Sequence, residues 1–143
     1  MLLRNTTLGL ILALCTLSAH AQTLLPVREL TIKSATITAE VAATPEALSK
    51  GLMHRPTLPP NHGMLFVFNP PTFQCFWMKN TFLPLSIAFI DSKGVITRIT
   101  DMRPLDETAH CPPGDIAYAL EMAQGWFRQN HIGTGDQLSG LPD

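Results

Sequence analysis

No apolar run in this 143-residue sequence is long enough to cross a bilayer as a helix. The longest, Leu8 to Leu17, holds ten residues, about half of the roughly 20 that a span requires. Nor is there an excess of positive charge, since ten Lys and Arg stand against eleven Asp and Glu. That balance removes the electrostatic case for binding nucleic acid or an anionic membrane surface. Several catalytic signatures are also missing. There is no Gly-x-Ser-x-Gly, so Ser86 and Ser92 lack the context of a hydrolase nucleophile. There is no His-Glu-x-x-His or comparable zinc spacing, and no Cys-x-x-Cys to tune a redox thiol. No cofactor fingerprint is present, and no second carboxylate pairs with Glu121 at a spacing that defines an acid and a base. The sequence therefore points away from an enzyme.

The first 21 residues have the pattern of a cleavable signal peptide. Arg4 precedes the apolar run, and Ala19-His20-Ala21 places small residues at the positions a signal peptidase reads, so cleavage is expected before Gln22. Leu14 is too bulky to precede a lipidated Cys15. The expected organisation is a signal peptide over 1–21, an exit linker over 22–28 and a single domain over 29–140. Without Arg4 the mature chain has nine Lys and Arg against eleven acidic groups, a net charge of 9 − 11 = −2. The expected location is the periplasm or the exterior, with no stable membrane insertion after cleavage.

Two cysteines, Cys75 and Cys111, remain after cleavage. In an oxidising compartment an even pair reads as a disulfide ahead of a metal site or a catalytic thiol. Closing that loop contributes about 3–4 kcal/mol in the chain-entropy description.

Along the chain, Leu30 to Val41 is rich in β-branched residues with partial alternation and reads as one bent strand or a hairpin. Thr44-Pro45-Glu46-Ala47 marks a helix start: a capping hydroxyl, a proline suited to the first turn, and an acid at the positive end of the dipole. Leu48 and Leu52 are spaced to share that helix's buried face. Pro56 to Gly63 reads as a loop, Met64 to Phe68 as a buried strand, and Phe73 to Met78 as another. Leu85 to Ile90 and Val95 to Thr100 flank Asp91-Ser92-Lys93-Gly94 and read as a hairpin. Prolines exclude a central strand over Asp101 to Asp115. Ile116 to Met122 reads as a buried strand, and Gln124 to His131 as a short helix with Trp126 or Phe127 inward. The predicted fold class is mostly β (α+β): a compact barrel-like or two-layer β domain with one or two short helices.

The string Phe76-Trp77-Met78-Lys79-Asn80-Thr81, followed by Pro84-Leu85 and the hairpin, resembles the family called domain of unknown function 192, also known as uncharacterised protein family 0127. Gly51-Leu52-Met53, Arg55, Met64-Leu65-Phe66, Leu120-Glu121, Gly125 and Gly135-Asp136 carry the same resemblance in order. It covers about residue 30 to 138. It implies a small β-rich fold, often exported, with no biochemical activity established as shared by its members. Cys75 and Cys111 resemble a subset with cysteine at both positions, in agreement with a bridge.

The ligand-binding candidates are Arg55, Trp77, Lys79, Asn80, Glu121 and Asp136. In one reading Lys79 and Asn80 converge with Glu121, Arg55 or Asp136 on a small anionic or sugar-like molecule. In the other, Asn80 holds a turn and Lys79 or Arg55 neutralises Glu121 as a structural pair. Alternation along its strand puts Glu121 on the face opposite Leu120 and Met122. A further candidate set, Met53, His54, His62, Met64 and Met78, has the soft donors that select Cu(I), although methionine equally fills a core. The functions in play are an exported accessory domain binding a small molecule or an envelope protein, a structural envelope protein, and a Cu(I)-binding protein.

Overall fold

The computed structural model describes residues 24–143. The expected signal peptide, its cleavage point and the first two linker residues lie outside the described residues. Six strands and two short helices follow in the order β1 (Val27–Ile32), β2 (Ala35–Ala42), α1 (Pro45–Lys50), β3 (His62–Thr72), β4 (Leu85–Ile90), β5 (Ile96–Met102), β6 (Ile116–Ala123) and α2 (Trp126–Gln129).

The β-branched stretch from Leu30 to Val41 is a hairpin, because Lys33 takes a positive φ of 51° and lets Ile32 pair directly with Ala35. β2 then crosses over through α1 to β3, which lies parallel to it. The remaining pairings, β3 with β6, β6 with β4 and β4 with β5, are antiparallel. The sheet order is β1-β2-β3-β6-β4-β5, open at both edges. The fold is therefore a two-layer β domain and not a closed barrel.

Both faces of the sheet are covered, so all six residues of β4 are buried. On one face Leu30, Ile37, Leu65, Ala88, Leu120 and Met122 pack with Trp126, Phe127, Ile132 and Leu138. On the other, Met64, Phe66, Ile87, Phe89 and Ala119 pack with Leu52 and Met78. Neighbours in sequence point to opposite faces, which separates these two clusters. Gly63 makes the β3–β6 contact possible. A Cβ there would lie 2.3 Å from Met122 Sδ and 2.4 Å from the Glu121 carbonyl oxygen.

The local signals of α1 hold. Thr44 Oγ1 accepts from the Ala47 N–H at 3.2 Å, Pro45 opens the helix, and Gly51 closes it at φ 50°. The helix ends before Leu52, however, so Leu48 is half-buried in it while Leu52 is buried beyond the cap. The hairpin turn also forms as its residues suggest, with Asp91 Oδ1 accepting from the Lys93 and Val95 N–H groups and Gly94 at φ 79°.

Phe73 to Met78 is not a strand. Only Phe76 makes a β-type bridge, exchanging backbone hydrogen bonds of 2.8 and 2.7 Å with His110. The ladder positions expected for this segment go to β6, which inserts between β3 and β4. The segment is left to line the second layer, held by that bridge and by the Met78 N–H donating to the Asp106 carbonyl. The disulfide Cys75–Cys111, with Cα atoms 4.2 Å apart, ties the same two loops together.

Candidate functional site

Between the second face of the sheet and its covering loops lies a cavity of about 1110 Å³. Most of its walls come from three pieces of chain, with Glu107 and Ala109 of the loop before β6 and Glu121 of β6 completing them. The end of α1 and the turn after it contribute Lys50, Met53 and His54, the 74–81 loop contributes Phe76, Trp77, Lys79 and Asn80, and β3 contributes Phe66 and Phe68. Phe66 and Phe68 alternate with Val67 and so face the same way. Phe76 meets Phe66 edge-to-face at 5.0 Å and Phe68 at 6.2 Å, forming an aromatic wall. Gly51 is needed beneath it, since a Cβ would approach Phe66 Cζ to 3.2 Å.

Glu121 lies at the sheet side of this cavity. It sits at the centre of the sheet, opposite Met64 on β3 and Ile87 on β4, two buried apolar residues. Its residue is 5% exposed. The ion pairs among the described residues are Lys33–Asp136, Arg55–Glu40 and Arg128–Asp101, and Glu121 takes part in none of them. Burial without a compensating cation pushes its carboxyl up to about 8, so it is mostly protonated at neutral pH.

The other candidates divide between the cavity and the rest of the molecule. Lys79 reaches over the Trp77 ring, with Nζ 5.1 Å from its centroid, and not to Glu121. Asn80 adopts φ 53° within a turn closed by the Thr81 N–H on the Met78 carbonyl, and its own carbonyl accepts from the His54 N–H at 2.8 Å. Asparagine tolerates that backbone better than most residues. Arg55 does not approach Glu121. Both its terminal nitrogens donate to Glu40 at 2.9 Å, which raises its own affinity for the proton. Asp136 lies outside the cavity, accepting from the Gly133 N–H at 2.8 Å and pairing with Lys33. Those contacts, the backbone one first, hold its carboxyl below the ordinary value.

Of the soft-donor set, Met53 and His54 line the cavity, while Met64 and Met78 are fully buried in the core. His62 lies at the start of β3 with Nδ1 2.9 Å from the Pro60 carbonyl. No group of three or more His, Cys, Asp or Glu able to hold a metal ion occurs among the described residues. The aromatic wall is not among the sites expected from the sequence, although the Phe66-Val67-Phe68 alternation carries a signal for it.

No curated protein matches the sequence. Solved structures match in sequence and fold, among them the following two. One is a protein of Sinorhizobium meliloti 1021 named as a candidate transcription regulator, 32% identical, with a TM-score of 0.81 over 83% of this chain and 97% of that one. The other is a protein of unknown function from Novosphingobium aromaticivorans DSM 12444, 31% identical, with a TM-score of 0.79 over 84% of this chain and 89% of that one. The family model DUF192, described as an uncharacterised ACR, matches residues 28–140, which takes in β1 but for Val27, β2 to β6 and the whole cavity. By that match, over most of its length, the chain belongs to the DUF192 family, a family of unknown function.

Proposed function

We propose that this protein is an exported accessory domain that binds a small molecule in the cavity bordered by Glu121. The observation that carries the reading is the Glu121 side chain itself. Glu121 is a residue only 5% exposed, and an ionised carboxylate so placed with no ion-pair partner is unfavourable unless something offsets its desolvation. A cavity lined by aromatics and a few polar groups, with a carboxyl of raised proton affinity, is the usual form of a ligand site. The neighbour's description as a transcription regulator finds no support in this chain's acidic balance or in its described helices of six and four residues.

Export is supported by the signal-like residues 1–21 and by the Cys75–Cys111 bridge, which persists in oxidising compartments. No described helix is long and apolar enough to cross a membrane. A second reading, a protein partner laid over the cavity mouth, is favoured by the exposure of Phe73 and Trp77 and of Phe82 beside His54.

The test is a screen of uncharged, cationic and anionic fragments against the protein purified from the periplasm of an expression host. The Trp77 indole N–H resonance reports occupancy. Fragments that shift this resonance and compete with one another support the site. A screen in which no fragment of any charge moves it overturns the reading.

A further inference from the structure

The charge pattern around the cavity narrows the ligand class. Facing Glu121 from the adjoining strands are only Met64 and Ile87, so no protein cation answers it from the sheet. The charged groups on the other walls are Glu46 and Lys50 from α1, Lys79 from the 74–81 loop and Glu107, with His54 beside them. Two acids offset two lysines, so this set is close to neutral. Lys79 is moreover held over Trp77, where it shows that the indole face accepts a cation. The unanswered group is the buried carboxyl, and aromatic rings make up the nearby wall.

We propose that the cavity takes a small organic amine, its ammonium group pairing with the Glu121 carboxylate and its apolar or aryl body lying against Phe66, Phe68 and Phe76. This rests on the cavity being a ligand site, and it replaces the anionic or sugar-like ligand expected from the sequence. An ammonium supplies the cation that Arg55 withholds by pairing with Glu40. Aromatic walls favour a desolvated cation over an anion. At neutral pH the carboxylic acid gives its proton to solvent as the ammonium enters, so each binding event releases one proton and leaves a neutral ion pair. A ligand that only accepts a hydrogen bond from the acid releases none.

The experiment is isothermal titration with phenethylamine, phenethyl alcohol and phenylacetate, alongside the Trp77 indole resonance. Phenethylamine is expected to bind with release of about one proton at pH 7, read from buffers of different ionisation heat. Its apparent Kd should tighten roughly fiftyfold between about pH 6 and pH 8, as the ionised fraction of Glu121 grows. E121Q should weaken it about ten- to hundredfold and abolish the proton release. The pH series on the unaltered protein stands independently of how that variant folds. Tighter binding of the alcohol or phenylacetate, or amine binding without proton release, overturns the amine while leaving the cavity as a ligand site. Should none of the three move the Trp77 resonance, the amine is overturned, and the wider fragment screen decides whether the ligand site falls with it.

Discussion

Replacing Glu121 with Gln keeps the size and shape of the protonated side chain but removes its ability to ionise. At low pH the carboxyl is neutral in the folded and unfolded chain alike and has no effect on the balance between them. As pH rises the unfolded chain loses its proton near the ordinary value of 4.5, whereas the folded one keeps it to about 8. The folded state binds the extra proton, so stability falls with rising pH across that window. Every tenfold gain in proton affinity on folding corresponds to about 1.4 kcal/mol, which makes the penalty on the order of 5 kcal/mol above pH 8 and about 3 kcal/mol at pH 7. Urea unfolding of both proteins from pH 4 to pH 9 measures this directly, because every other titrating group is common to the pair and cancels in the difference. The E121Q variant should match the parent to within about 1 kcal/mol at pH 4 and exceed it by about 3 kcal/mol at pH 7. With an m-value of about 1–3 kcal/mol/M, the midpoint rises by roughly 1–3 M at pH 7. A difference that stays constant with pH, or a variant less stable at pH 8, would refute the reasoning and show that the carboxylate has a partner in the folded protein.

Three further outcomes follow from the same contacts. Cys75→Ser removes a bridge spanning 36 residues and should cost about 4 kcal/mol in oxidising buffer, with parent and variant converging under strong reductant in thermal unfolding. Gly63→Ala forces a Cβ against the Glu121 carbonyl and should cost at least about 3 kcal/mol or prevent folding, read from the urea midpoint; a loss under about 1 kcal/mol would show that β3 and β6 can part. Arg55→Met breaks a half-buried bidentate pair with Glu40 and should cost about 1 kcal/mol while leaving fragment binding unchanged, since neither partner lines the cavity; lost binding at full stability would place Arg55 at the ligand.

The elements legible in the sequence were those set by near neighbours along the chain. Thr44-Pro45 opens α1, Asp91 and Gly94 shape the β4–β5 turn, and the β-branched run before Thr44 forms the β1–β2 hairpin, each through contacts within a few residues. Phe73 to Met78 misled because an apolar stretch has strand character whether or not a ladder is free to receive it. The strand expected over Met64 to Phe68 runs on to Thr72, because Pro70 and Pro71 are accommodated at the far end of β3, where its register with β6 shifts between Val67 and Thr72.

By itself the sequence determined the acidic balance, the cysteine pair, the family resemblance and the alternation that sets Glu121 against Leu120 and Met122. These follow from composition and from the period of two along a strand, which need no knowledge of distant residues. Tertiary structure alone decided that the last strand lies at the centre of the sheet, that Arg55 commits its guanidinium to Glu40, and that Lys79 rests on Trp77. It thereby decided that the Glu121 carboxyl borders a cavity with no cation paired to it, because charge pairing and strand order depend on which segments meet in space, and local pattern carries no record of that.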